Sequence, residues 1–479
     1  MWTLIDKMYT KVVRAASIAA LLGGWACSSA FAACTPSCPP PPSAWAQLHA
    51  DEKNASFNTN ETTLSFNALQ SMVPQAKYPQ KIIGSAESVL ATSGLVVVHY
   101  DFGLQVHSEG VGIFDAASAA VKWSTDIDDG PVFINSAADH YPAFAVAYGS
   151  RLYATKRTHD LPNSPAGGIW AYNAINGATS GAGLGYMPGS GLAFMSQVNT
   201  SAATPTITNA ALYFARQDGG FSAVSTYTGA ALWTLPPAAN TLYLNQVAVA
   251  DGRVYVLRQQ NPGQLPVQTN TLLAVNAVTG ASVWQHSFPG QNVVSAPAYY
   301  NGSLYLKVRT TGFVGMGQSA NNIVRLDAAT GNELANAVAA GINNLEGYDQ
   351  SPTVGNGVLI AQGNSGSVLA PHTVIALDAV TLKKKWALTL NGARNGYAMD
   401  GLYDFRRAPS IANDFVLACS GGFLRAWQLG TGLGDQYFFN QAQLPCQGQP
   451  IVAGGRVIFS NPDLDVANLS YFVYAYGLP

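Results

Sequence analysis

A short turn recurs seven times along this chain at a nearly fixed spacing. It stands as Asp115-Ala-Ala-Ser118, Asn173-Ala-Ile-Asn176-Gly177, Ser225-Thr-Tyr-Thr228-Gly229, Asn276-Ala-Val-Thr279-Gly280, Asp327-Ala-Ala-Thr330-Gly331, Asp378-Ala-Val-Thr381 and Gln428-Leu-Gly-Thr431-Gly432. The first positions lie 58, 52, 51, 51, 51 and 50 residues apart. A period of this size marks stacked supersecondary units, each burying its apolar faces against its neighbours. Between the turns, short β-type runs alternate with Gly and Asn signals, and no long stretch has helical periodicity.

Within one unit the order of elements is readable. Ala298-Tyr-Tyr300 is a strand, and Asn301-Gly302 is a tight hairpin, because both central positions of that turn take φ > 0. Leu304 to Val308 is the return strand. Asn322 to Leu326 is a third strand that enters the recurring turn, and a fourth follows. In several units the fourth strand carries Trp: Trp123, Trp233, Trp284 and Trp386. The first hairpin recurs at Ser93-Gly94, Tyr148-Gly149, Asn209-Ala210, Asp251-Gly252, Asn356-Gly357, Asn413-Asp414 and Gly454-Gly455. Eight hairpins stand against seven turns, and the eighth unit ends after its third strand, Tyr471 to Tyr476. The segment Thr62 to Met72 precedes the first complete unit, and one period back from Trp123 lands on Met72. The expectation is an all-β fold: eight four-stranded antiparallel blades around a channel, the ring closed by an N-terminal strand that removes an unpaired edge. The repeated Asp, Gly and Trp are read as architecture. Asp accepts turn N–H groups, Gly supplies φ > 0, and Trp packs between blades.

The first 32 residues read as a cleaved export signal. Lys7, Lys11 and Arg14 precede the apolar run Ala15 to Gly24, and Ala30-Phe31-Ala32 is a small-x-small cleavage site. The run is too short to span a bilayer. Residues 33–57 form a Pro-rich N-terminal arm and 58–479 the propeller. Export makes the remaining cysteines candidates for disulfides, with Cys34–Cys38 and Cys419–Cys446 the preferred pairing. A competing reading makes Cys34 a lipidated N-terminus. Charged residues are only 10% of the chain, against about 25% in an average domain. Net charge is −2 at pH 7, which argues against a nucleic-acid partner held by phosphate attraction.

Leu326-Asp-Ala-Ala-Thr-Gly331, Leu377-Asp-Ala-Val-Thr381 and Val275-Asn-Ala-Val-Thr-Gly-Ala-Ser-Val-Trp284 resemble the repeat of quinoprotein-like propellers, the pyrroloquinoline-quinone (PQQ) repeat family. Asn58-Thr-Asn-Glu-Thr-Thr-Leu64 looks like the N-terminal entry of such proteins. The resemblance covers residues 58–479, and it implies fold more strongly than activity. Its non-catalytic branch, similar to the propeller lipoprotein of the barrel-assembly machinery, implies a protein-binding or scaffold module of the cell envelope or surface. Its enzymatic branch implies a dehydrogenase holding PQQ and Ca²⁺ in the central funnel; the adjacent Cys-Cys pair often found there is absent from this sequence. A third role is a self-assembling filament subunit linked by N-terminal strand exchange. The expectation is the first role, with no catalytic residue, metal site or cofactor. The partner is a protein or copies of the chain, and the location periplasmic, cell-surface or extracellular. Two segments concentrate charge and aromatics in this weakly charged chain, and they are the candidate binding rim. One holds Glu346, Tyr348 and Asp349; the other holds Arg394, Tyr397, Asp400, Tyr403, Asp404, Arg406 and Arg407.

Overall fold

The structure is a computed structural model. It describes residues 50–78, 85–92, 94–101, 109–126, 145–148, 151–156, 168–173, 205–208, 210–216, 219–226, 229–243, 247–260, 270–293, 295–310, 321–338, 344–345, 351–364, 372–390, 408–420, 423–434, 446–462 and 471–479. Among these residues the chain forms eight sheets, antiparallel except for one short parallel pair in the seventh, with one short 3₁₀ turn at Ala68–Ser71.

The sheets follow the repeat. Sheet 1 is Ser85–Thr92, Leu95–Asp101, Glu109–Asp115 and Val121–Asp126, in that order. Sheet 2 shows three strands, Ala145–Tyr148, Arg151–Lys156 and Gly168–Asn173. Sheet 3 is Thr206–Ile207, Ala211–Ala215, Phe221–Ser225 and Ala231–Leu235. Sheets 4, 5 and 6 each have a first strand broken in two. Its second pieces are Ala248–Ala250, Ala298–Tyr300 and Thr353–Gly355, and the last strands of these sheets are Ser282–Phe288, Glu333–Val338 and Lys384–Leu390. Sheet 7 contains Ser410–Ala412, Phe415–Ser420 and Phe423–Gln428. Sheet 8 is Gln447–Ala453, Arg456–Pro462 and Tyr471–Gly477, with Val73–Tyr78 paired antiparallel to the last of these as its fourth strand. First strands of neighbouring sheets touch, including those of sheets 8 and 1, so they surround a common axis.

The core lies between sheets. Tyr255, Leu257 and Leu272 of sheet 4 are buried against Leu304, Leu306 and Val324 of sheet 5. Each such side chain contributes about 1.5–3 kcal/mol of apolar burial. Sheets 7 and 8 are also joined covalently by Cys419–Cys446, the expected pair, with Cα atoms 5.2 Å apart.

Among the described residues the first side chain accepts turn N–H groups at Asp115, Asn276, Asp327 and Asp378. Asp327 Oδ1 accepts the N–H groups of Ala329 (2.9 Å) and Thr330 (2.8 Å) and the Thr330 hydroxyl. Asn276 does the same for Val278 and Thr279. The second turn residue then donates its N–H to the first hairpin of the same sheet, as Ala328 does to the Gly302 carbonyl (3.0 Å). The hairpin residues Asp251, Asn301, Asn356 and Asn413 all have positive φ, as a tight two-residue turn between twisted strands requires.

The fifth turn position shows why Gly and Trp travel together. Gly331 has φ +76°, and a Cβ there would lie 2.6 Å from the Trp284 ring of the preceding sheet. Trp284 Nε1 donates to the Ala328 carbonyl of the same turn (3.1 Å). Trp233 meets Gly280 and Ala277 in this way, and Trp386 meets Gly432 and Leu429. Where the slot holds no Trp, a larger residue fills the turn. Ala335 occupies the slot of sheet 5, and the next turn has Leu382, with φ +54°. The carbonyls of that turn instead accept from Tyr305 Oη (2.8 Å) and Arg325 Nη1.

The register corrects one expectation. Met72 is not in the Trp slot of sheet 8. The slot residue faces the third strand just after an outer-strand bulge, as Trp284 faces Ala274 and Trp386 faces Ala376. In sheet 8 that residue is Ala76, opposite Ala475. The first repeat is shorter than its successors, so a full period counted back overshoots by four positions. The N-terminal strand that pairs with sheet 8 is therefore Val73–Tyr78 rather than the Thr62 to Met72 segment, and Met72 is buried beside Leu64, Leu69, Phe415 and Phe459. Bulging also accounts for exposed Leu232, Val283 and Leu334, each the residue skipped by the pairing.

The joint gives a test. Gly331→Ala is expected to destabilise by about 1–3 kcal/mol through strain and overpacking, and Trp284→Ala by about 3–5 kcal/mol. In urea unfolding the double variant should cost less than the two single changes together, because the alanine then meets no ring.

Candidate functional site

Every residue of the candidate rim lies outside the described residues: Glu346, Tyr348, Asp349, Arg394, Tyr397, Asp400, Tyr403, Asp404, Arg406 and Arg407. So do Cys34, Cys38 and the export signal. The site that the described residues do build is at the hairpin end of the axis, and its first component is the N-terminal segment. That segment was assigned to the Pro-rich arm up to residue 57, yet from Ala50 onward it is packed against the sheets.

Its backbone runs along the first strands of four successive sheets. Glu52 accepts the N–H of Val249 (2.7 Å), Lys53 that of Tyr299 (2.8 Å), Ala55 that of Val354 (3.0 Å) and Ser56 that of Ile411 (2.9 Å). Each donor lies two residues before its sheet's first hairpin. Phe57–Asn58 then pairs parallel with Ile411 and Ala412. Asn54 Nδ2 donates to the Pro297 carbonyl (3.1 Å), and Asn58 Nδ2 to that of Val452 in sheet 8 (2.7 Å). Presenting successive carbonyls to strands arranged round an axis bends the chain. Ala50, Asn54 and Ser56 accordingly have φ of 78°, 61° and 52°, a conformation non-glycine residues adopt only where surrounding contacts enforce it. The contacts are dense here: Ala50, Asn54, Ala55 and Ser56 are all buried.

The next residues fasten this segment to sheets 7 and 8. Glu61 is buried, with Oε1 accepting from Thr63 N (2.8 Å) and Leu64 N (3.1 Å) and Oε2 from Gly455 N (3.0 Å). The Leu64 carbonyl accepts from Asn413 Nδ2, and Phe66 N donates to Asp414 Oδ1. Thus the entry motif Asn58 to Leu64 binds two distant hairpins.

The segment turns at residues 51–54, where Asn54 N donates to the Asp51 carbonyl (3.1 Å) and Lys53 N to Asp51 Oδ1 (3.0 Å). Asp51, Lys53, Phe57 and Thr59 line a cavity of about 390 Å³ together with Tyr299, Tyr300 and Asn301 at the hairpin of sheet 5. The tyrosines are fixed by their hydroxyls. Tyr299 Oη donates to Asp251 Oδ2 (2.5 Å) and accepts from Gly302 N, and Tyr300 Oη accepts from Gly357 N (3.0 Å). Phe57 packs edge-on to Tyr300, with centroids 6.2 Å apart. It also leaves no room for a side chain at Gly355, where a Cβ would lie 2.5 Å from its ring. Burial pushes the Asp51 carboxyl up to about 7; neighbouring Glu52 acts in the same sense and Lys53 against it. Among the described residues no group of three His, Cys, Asp or Glu side chains is placed to hold a metal ion, and no helix is long and apolar enough to cross a membrane. Sequence reasoning missed this site because its residues carry no motif; the cluster Asp51-Glu52-Lys53 in a charge-poor chain was the available signal.

Residues 217–470, more than half of the chain, match the sequence profile of the family described as outer membrane protein assembly factor BamB. A tetrathionate hydrolase of Acidithiobacillus ferrooxidans is 26% identical over 157 residues, an alignment spanning 29% of this chain and 29% of that protein. Among solved structures, quinohemoprotein alcohol dehydrogenase from Comamonas testosteroni has a TM-score of 0.56 at 11% identity, covering 94% of this chain and 81% of that one. The quinohemoprotein alcohol dehydrogenase ADHIIG of Pseudomonas putida HK5 has a TM-score of 0.54 at 12% identity, covering 91% and 80%. At such identities the structural likeness establishes fold alone. The fold is that of a PQQ-repeat β-propeller.

The raised Asp51 gives a signed pH effect. Its folded pKa of about 7 lies above the ordinary carboxyl value of 3.8, so ionising it opposes folding as pH rises from about 4 through 7. Asp51→Asn is expected to raise the melting temperature at pH 8, on the order of 2 °C for a chain of this size, with no gain below about pH 4. Thermal unfolding across that range checks it.

Proposed function

Because the chain belongs to the family of outer membrane protein assembly factor BamB, we propose that it is an exported, non-catalytic propeller acting as a protein-binding or scaffold module of the cell envelope or surface. In this reading residues 1–32 are removed on export. The eight sheets are the blades of one ring, latched where Val73–Tyr78 completes sheet 8. The observation that carries the reading is the family match over residues 217–470. The fold gives it a mechanism. The repeated Asp, Gly and Trp residues are consumed in holding turns and joints, and the hairpin end of the axis is crossed by the chain's own backbone.

Contact with a partner then falls to the segments that break the repeat. Arg394, Arg406 and Arg407 are the cations of the proposed rim. Arginine suits such a surface because its planar guanidinium pairs bidentately with partner carboxylates. Glu346, Asp349, Asp400 and Asp404 supply the opposite charge, and Tyr348, Tyr397 and Tyr403 supply large contact area at low entropic cost.

The dehydrogenase reading has the two propeller enzymes as fold relatives, and the hydrolase reading has one short alignment. Neither brings a substrate to this chain. The self-assembly reading needs the N-terminal strand to leave its own ring, whereas here that strand pairs with Tyr471–Gly477 of the same chain.

The test is affinity capture from the native envelope fraction. The doubly substituted Arg406→Glu, Arg407→Glu protein is compared with the wild type. Recovery of wild-type partners is expected to fall at least about tenfold, which is about 1.4 kcal/mol, with an unchanged unfolding midpoint. Equal recovery by both proteins contradicts the rim assignment. Dye-linked dehydrogenase activity on adding PQQ and Ca²⁺ contradicts the non-catalytic reading.

A further inference from the structure

We propose that the cavity between residues 51–59 and the sheet 5 hairpin is a binding site for a small zwitterion, a free amino acid with an apolar side chain. The site is separate from the proposed rim and does not depend on it.

Its size, about 390 Å³, falls in the lower part of the range of small-molecule pockets, about 300–1,000 Å³. The lining carries one carboxylate and one ammonium, Asp51 and Lys53, two positions apart in a turn closed by the Asn54 N–H on the Asp51 carbonyl. Among the described residues no salt bridge joins these two side chains, although the Asp51 carboxylate accepts the Lys53 backbone N–H (3.0 Å). A ligand that meets both therefore carries both charges itself: its ammonium at Asp51 and its carboxylate at Lys53, where the exposed Asn301 amide is a second donor.

The rest of the lining is apolar. Phe57 and Tyr300 form an edge-to-face pair, and Ala55 lies between the two ends of the segment's lining face. This wall suits an aromatic or branched aliphatic side chain rather than a polyhydroxylated one. Burial outweighs the Lys53 charge and the backbone N–H groups of Lys53 and Asn54 that favour the Asp51 carboxylate, as its raised pKa reflects, and a bound ammonium would add to the favourable side. The site is preorganised. Both tyrosine hydroxyls are anchored to neighbouring hairpins, and the segment backbone is bonded to Val249, Tyr299 and Val354, so binding immobilises few groups.

Isothermal titration calorimetry on the full exported chain tests this with four probes: L-phenylalanine, phenethylamine, 3-phenylpropanoate and glucose. L-phenylalanine is expected to bind with a dissociation constant near roughly 1 mM or below. Phenethylamine and 3-phenylpropanoate each lack one charge, and each should bind at least about tenfold more weakly. Glucose should give no binding heat. Asp51→Asn and Lys53→Met should each weaken L-phenylalanine binding by a similar factor. The one-charge probes use wild-type protein, so the test stands even if a variant fails to fold. The proposal is overturned if L-phenylalanine gives no heat up to roughly 10 mM, if either one-charge probe matches it, or if glucose binds comparably.

Discussion

Four backbone hydrogen bonds hold the centre of this molecule. They run from Val249, Tyr299, Val354 and Ile411 to the carbonyls of Glu52, Lys53, Ala55 and Ser56. First strands around a propeller axis each have a neighbour on only one side, which leaves a row of backbone donors and acceptors facing the channel. Such groups need partners when they are removed from water. Here the chain's own N-terminal segment supplies them, and it serves four sheets in turn. Its left-handed residues follow from that task, since a regular strand cannot follow donors set round a curve.

The same segment joins the two ends of the chain. After crossing sheets 4 to 7 it binds the sheet 8 hairpin through Glu61, buries Leu64, Leu69 and Met72 between sheets 7 and 8, and continues as Val73–Tyr78 beside the C-terminal strand. Sheets 3 and 4, 4 and 5, and 6 and 7 are linked by Trp-to-turn contacts. At the joint between sheets 8 and 1 the Trp slot holds Ala76, and Tyr78 Oη and Arg456 Nη1 both donate to the Ala116 carbonyl. This joint is made from different side chains, but it satisfies the same turn carbonyl that Trp satisfies at those three.

What was legible in the sequence was what is local. The Asp-x-x-Thr-Gly turn and the Asn-Gly hairpin are short hydrogen-bonded units whose residue requirements are set within five positions, so they read directly as turns and hence as a count of sheets. The Cys419–Cys446 pair also followed from few alternatives. What was not legible depends on partners hundreds of positions away. Nothing near Glu61 announces that it caps the hairpin at Gly455, and nothing near Asp51 announces a cavity wall completed by Tyr299. The Met72 assignment failed because it extended a period into a repeat of different length. The reciprocal pattern of Trp with Gly, and Ala335 with Leu382, is visible in the sequence only once the register between sheets is known.

Functionally, the regular part of the chain is occupied with its own construction, and the proposed roles fall where regularity ends: the rim segments for a protein partner and the segment-lined cavity for a small ligand. The cavity rests on the N-terminal segment lying where it does. Hydrogen exchange at the amides of Val249, Tyr299, Val354 and Ile411 tests that most directly, comparing the full exported chain with one lacking residues 33–60. The account predicts slow exchange at all four amides in the full chain, comparable to amides inside the sheet ladders, and fast exchange in the truncated chain. Fast exchange at these four positions in the full chain, while ladder amides stay protected, would contradict it.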